Sequence, residues 1–250
     1  MKVPPSNSNN SIIVSLFIGI SIIISTVILN DAYKYKFKSA QTISVTGMAK
    51  KDFEADLVKW SSSFVKKDFD LKQASKDLNK DREIVKKFLK SKGVDVNEVT
   101  FDAVNITKDF LYETSSNGSS VSTFNGYVLT QNFSIESKKL DVVEKVSREI
   151  TDLISKGIEL NSSLPSFYYS KLEDLKLELI AKATANAKLR AENISKEADA
   201  RLGELTEADM GVFQITGQND NEDYSYGGVF NTSSRKKTAS ITIKLNFRSN

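Results

Sequence analysis

"ISVTGMAKKDFEADLVKW" occupies residues 43–60, and how it is read decides the fold. A short alternating run meets Gly47, then a charged stretch, then a second alternating run through Val58 and Trp60. Two readings compete. Gly47 could belong to a phosphate loop with Asp56 as an acid aimed at a substrate, or the stretch could simply begin a sheet. A phosphate loop needs several glycines followed by Lys-Ser/Thr at a helix N-terminus. Here one glycine leads into a strand. Gly47 is therefore expected in a tight turn, and Asp56 is expected to satisfy backbone donors at the start of its strand.

Working outward, three helices carry start and stop signals. Asp70 with Gln73 forms a cap pair, and Leu71, Ala74, Leu78, Val85, Phe88 and Leu89 make a helical stripe that stops at Gly93. Leu140, Val143, Val146, Ile150, Leu153 and Ile154 make a second stripe, over 139–156, that stops at Gly157. Ser170 with Glu173 reads as a capping box opening a third helix that runs to Leu202-Gly203. Strands fill the gaps. Ala239, Ile241, Ile243, Leu245 and Phe247 alternate with polar residues, Tyr127, Leu129, Phe133 and Ile135 share a face around Gln131, and Val58, Trp60 and Phe64 share another.

Laid end to end, the order reads strand 54–67, helix 70–92, strand 98–110, strand 124–136. It then repeats as strand 160–169, helix 170–202, strand 208–216, strand 236–248. The expected fold class is α+β: two βαββ-like halves, about 41–137 and 158–250, joined by the helix at 139–156, with largely antiparallel sheet and packed helices.

Composition narrows the function. The 250 residues contain no cysteine and no histidine. The first absence removes disulfides, thiol nucleophiles and thiolate metal sites, and the second removes the commonest general base. Of the formal net charge of +3, all comes from residues 1–38, where Lys2, Lys34, Lys36 and Lys38 face Asp31. The remainder is neutral, which argues against a nucleic-acid partner.

"IIVSLFIGISIIISTVIL", Ile12–Leu29, is uncharged and, at about 1.5 Å per residue, just long enough to cross a bilayer core. No A-x-A pattern follows it, so an uncleaved anchor is favoured over a signal peptide. The chain then divides into a tail at 1–11, the membrane segment at 12–29, a basic linker at 30–40 and a domain at 41–250. The lysines after the segment, counted alone, place that domain in the cytoplasm, a count that weakens when a long domain follows.

The ordered set of motifs resembles a known family. "ISVTG" at 43–47, Asp56 opening a strand, "FLKSKGV" at 88–94, "GYVLTQNFSI" at 126–135, a helix ending at Gly157 and "AKATANAKLRAENISKEADARLGEL" at 181–205 together resemble the SIMPL domain family of bacterial envelopes. On that pattern Gly47, Asp56, Gly93, Gly126, Tyr127, Gly157, Ala191 and Gly203 are structural positions. The chain departs from it at Ala55, where the family usually has proline, and at Asp199, where it often has glycine. The resemblance implies a secreted or membrane-tethered, extracytoplasmic domain that self-associates, with loose links to envelope stress and no established chemistry.

Two further features bear on function. The alanines of the third helix suit close packing on a sheet or a seam between subunits. "GQNDNEDYSYGGVFNTSSRKK", 217–237, reads as a mobile hairpin tip. Its Asp220, Glu222 and Asp223 lack the spacing of an EF-hand, while Tyr224, Tyr226 and Phe230 offer an adaptable interaction surface. The sequence thus leads to a non-enzymatic, membrane-anchored, homo-oligomeric structural or interaction module with no cofactor or metal, outward-facing in the envelope, with an unknown envelope protein as a possible partner. The alternative is a small-ligand-binding module with a cavity between the two halves.

Overall fold

The computed structural model describes residues 8–38, 42–114, 120–221 and 223–249. It is α+β, with two antiparallel-rich sheets and, among the described residues, four α-helices, of which the first is the N-terminal apolar helix. Helix α1, Ser8–Lys38, contains a stretch, Ile13–Lys34, of mean hydropathy 2.4 with none of it buried, long and apolar enough to cross a membrane. The strands and remaining helices follow in the order β1 (Thr42–Glu54), β2 (Leu57–Asp68), α2 (Leu71–Ser91), β3 (Val99–Phe101), β4 (Asn105–Thr114) and β5 (Ser120–Ser137). Then come α3 (Leu140–Glu149) with a 3-10 extension over Ile150–Lys156, β6 (Glu159–Ser162), β7 (Ser166–Tyr168) and α4 (Leu172–Glu197). The last are β8 (Leu202–Met210), β9 (Gln214–Gly217), β10 (Val229–Phe230) and β11 (Lys236–Ser249).

The sheets exchange strands between the contiguous halves. One sheet has the order β1-β11-β9-β10, with β8 also on β11; the other has β3-β5-β2-β6, with β4 on β5 and β7 on β2. The first strand of the first half thus joins the strands of the second half, and the 159–168 segment does the reverse. Contacts divide the chain into two compact units: Lys50–Leu179 with Val212–Ser240, and the remainder of the described chain.

The larger unit has an aromatic core. Even-numbered residues of β2 point inward, so Val58, Trp60 and Phe64 are buried together with Leu129, Phe133 and Ile135 of β5. Phe133 sits at the centre, with ring centroids 5.7 Å from Trp60, 6.2 Å from Phe64 and 5.5 Å from Phe101. From α2, Ala74, Leu78, Val85, Phe88 and Leu89 cover this face; from α3, Leu140, Val143 and Val146 do so. Polar groups that enter the core do so with partners. Asp81 on α2 meets Lys66 Nζ at 2.8 Å, and Gln131 accepts from Arg82 Nε at 2.6 Å while donating to the Asp102 carbonyl at 2.8 Å. Such pairing is what burial of a polar group requires.

The other unit is built on small residues. Alternation along β1 buries Val45, Gly47 and Ala49, and α4 buries Ala183, Ala187 and Ala191. A Cβ at Gly47 would stand 2.2 Å from the Ala183 carbonyl oxygen and 2.5 Å from the Ala187 nitrogen. Gly47 is therefore no turn residue. It is mid-strand, and its missing side chain lets the helix backbone sit directly on the strand. Met48 N–H donates to Asn186 Oδ1, and Arg190 donates to the Thr46 carbonyl at 3.0 Å, which fixes the helix along β1.

Helix ends correct two further expectations. Glu173 does not close a capping box, because the Ser170 N–H donates to Asp56 Oδ1 at 2.7 Å, and the Glu173 carboxylate pairs with Lys176 at 2.8 Å instead. At the other end α4 stops well before Gly203. Asp199 takes φ 50°, with Asp199 N–H donating to Lys196 O and Ala200 N–H to Ser195 O, the paired closure of a Schellman motif. The expected strand 160–169 is broken into β6 and β7, and strand 98–110 into β3 and β4.

Candidate functional site

The 217–237 loop is held by three anchors. Residues 218–228 leave β9 and return so that β10 pairs parallel to it, Val229 with Gln214 and Phe230 with Ile215. The side chain of Gln214, buried on β9, grips the returning segment. Its Oε1 accepts from Ser225 N–H at 3.3 Å and Val229 N–H at 3.0 Å, and its Nε2 donates to Ser225 O at 2.8 Å. Below the loop, Lys237 is almost fully buried, and its Nζ donates to both the carbonyl and the side-chain oxygen of Asn231. Asn231 Oδ1 also accepts from Ser234 N–H at 2.8 Å. A free hairpin tip does not describe this segment, which is a strand-bearing loop tied to the sheet at both ends.

On this frame the aromatic side chains face solvent. Tyr226 is fully exposed, and Tyr224 and Phe230 each keep more than half of their surface. Tyr224 Oη accepts from Ser240 Oγ at 3.3 Å, and Lys50 Nζ lies 6.0 Å from its ring centroid. The Ser240 hydrogen bond, opposed by partial burial and helped by Lys50, holds the phenol below its ordinary pKa. Glu222 lies outside the described residues, and Asp220 spends one carboxylate oxygen on Asn221 N–H at 2.8 Å.

The family-pattern residues are dispersed through the scaffold. Asp56 is the most informative. It does satisfy backbone donors, its own N–H among them, and it reaches further: Oδ1 accepts from Ser170 N–H at 2.7 Å and Oδ2 from Ser170 Oγ at 2.5 Å, tying the β1–β2 corner to the entry of α4. Burial raises the Asp56 pKa, but the two Ser170 hydrogen bonds outweigh it and leave the carboxyl below its usual range. Gly93 and Gly157 occupy left-handed positions closing α2 and the 3-10 turn. Gly126 sits at φ 113° beside the bulge opposite Asp109/Phe110, and Tyr127 next to it packs edge-on to Phe124 with centroids 5.2 Å apart. Ala191 continues the buried row of α4. Gly203 lies within β8, where a Cβ would meet the Arg248 carbonyl at 2.7 Å.

Several residues escaped the sequence reading. Gln214 lies in the expected strand 208–216 and carried no local signal of its role. Lys237 was not singled out, although it shares the inward face of β11 with Ala239, Ile241 and Ile243. Arg235 joins elements far apart in sequence: its Nε donates to Glu54 Oε1 at 2.6 Å, its guanidinium also pairs with Asp141, and its carbonyl accepts from Ala55 N–H at 2.9 Å.

No curated protein compared with the chain matches it. Residues 43–247 match the model of the SIMPL family, described as a protein of unknown function (DUF541). That match covers nearly the whole chain after α1, and the protein belongs to the SIMPL family.

Proposed function

We propose that this SIMPL protein is a membrane-anchored, outward-facing module of the cell envelope that works by assembling with copies of itself, without catalysing a reaction. The observation that carries the reading is the aromatic loop. Tyr226, Tyr224 and Phe230 are exposed on a segment that Gln214, Asn231 and Lys237 fix in place. Aromatic groups displayed on a rigid frame lose little conformational freedom on docking, which favours association. Confinement by α1 to one membrane plane raises the effective concentration of the copies, so contacts weak in solution suffice for assembly. The family resemblance supports the extracytoplasmic side, and a role in envelope stress would be the response of such an assembly.

A photo-crosslinking amino acid in place of Tyr226, in membranes containing the full chain, tests this directly. The expected product is a ladder of multiples of this chain's own mass. Crosslinks to none of its own copies would overturn the reading. Protease added to intact cells is expected to cut the domain; protection until the membrane is permeabilised would refute the outward orientation.

A further inference from the structure

The outward face of the β3-β5-β2-β6 sheet is paved with short polar side chains in register. Ser61 stands opposite Ser134, and Ser63 stands opposite Asn132 on β5 and Asn161 on β6. Two adjoining cavities lie along it. One, of about 350 Å³, is lined by Ser61, Ser63, Asp102, Asn132, Asn161 and Ser163 among others. The second, of about 430 Å³, shares Ser61, Ser134 and Ser163 and reaches Leu164 and Tyr168 at its far end. With strands ~4.8 Å apart, the four-strand floor is ~14 Å wide. The volumes fall within the range of small-molecule sites.

Three observations distinguish this trough from an ordinary solvated sheet face. First, serine and asparagine are poor strand residues. Here they fill the middle of the sheet, while the opposite face carries Trp60, Phe64 and Phe133. Local preference is overridden where a shallow, polar floor results, and such conflicts gather at functional sites. Second, among the described residues the side chains of Ser63, Asn132, Ser134, Asn161 and Asp102 make no hydrogen bond or ion pair within the protein, while Ser61 and Ser163 bond to each other at 3.0 Å. Third, charge is nearly cancelled. The rim pair Lys59–Glu136 closes at 2.8 Å, which leaves Asp102 as the unpaired carboxylate lining the two cavities, with Glu159 on the same face of β6 two residues from Asn161. A polyanion finds no positive field here.

We infer that this trough binds an uncharged carbohydrate chain. Hydroxyl and carboxamide groups both donate and accept, as every sugar hydroxyl does, so a saccharide satisfies them in either sense. Leu164, almost fully exposed, and Tyr168 at the rim supply the apolar contact for a sugar's C–H face. The inference is independent of assembly through the aromatic loop.

The test uses the full chain in a detergent without a sugar headgroup. Cellotetraose and the β-1,4-linked tetramer of N-acetylglucosamine are titrated by calorimetry, with polyethylene glycol as a polymer lacking hydroxyl rows. At least one tetrasaccharide is expected to bind. N132A/N161A should weaken it at least tenfold at unchanged Tm. S61V/S134V should abolish it while raising Tm, because valine suits a strand better than serine does. No binding of either tetrasaccharide to the native chain overturns the inference. So does equal heat from polyethylene glycol, or native affinity in both double variants.

Discussion

Two helices lie on sheet strands in this protein, and they do so in opposite ways. Over the β2–β5 face, α2 packs through long side chains, with Leu78, Val85 and Leu89 meeting a layer of Trp60, Phe64 and Phe133. Over β1, α4 packs through almost nothing, its backbone resting on Gly47 between Ala183 and Ala187. The first contact gains stability from volume and is weakened by removing atoms. The second depends on the absence of atoms and is weakened by adding them. Interiors are packed densely enough that both changes are felt.

The strongest way to break the first contact is Phe133→Ala, which strips the ring touched by three other aromatic rings. A loss of about 3–5 kcal/mol is expected from chemical denaturation. Gly47→Ala adds a single methyl group, yet the atoms in its way are helix backbone and cannot swing aside. A loss of about 2–3 kcal/mol is expected, several times what one added methyl costs at an exposed strand site. Little loss at Gly47 would mean that the helix and strand slide apart freely, and the comparison would fail.

Asp56 sharpens it, since the carboxylate fastens the start of α4 from the β1–β2 corner. Asp56→Asn is expected to cost about 1–2 kcal/mol at neutral pH, the scale of a lost helix cap. The folded-state pKa is depressed, so this stabilisation is fully present above the unfolded value near 3.8 and is lost as pH falls through the lower folded value. The gap between native protein and variant should therefore close below about pH 3.8, the reference value for this group. A gap that persists in acid would show that geometry rather than charge matters there. The smallest effect has the opposite sign. Asp199 pays the left-handed cost at φ 50°, so Asp199→Gly should raise stability by about 0.5–1 kcal/mol.

These sites also mark where the sequence could be read and where it could not. The stripe of α2, the alternation of β11 and the stops at Gly93 and Gly157 depend on residues near in sequence, and all were legible. Gly47 was misread because glycine signals either a turn or a close approach, and only the distant alanines of α4 decide between them. The end of α4 was misplaced at Gly203 because an aspartate fills the left-handed position that glycine usually marks. The exchange of strands between the halves, and the bond from Asp56 to Ser170, join residues about a hundred positions apart, for which local periodicity carries no signal. At the candidate site the exposed aromatics were visible. The grip of Gln214 was not, and nothing local to each serine of the trough marks it out, because only the strand register aligns them.

The most direct test of assembly is the mass of the full chain in detergent, measured by light scattering over a concentration series and corrected for bound detergent. The account predicts a discrete oligomer that Y226S/F230S reduces to monomer, with thermal stability unchanged because neither side chain is buried. A monomer at every concentration, or an oligomer indifferent to both substitutions, would contradict it.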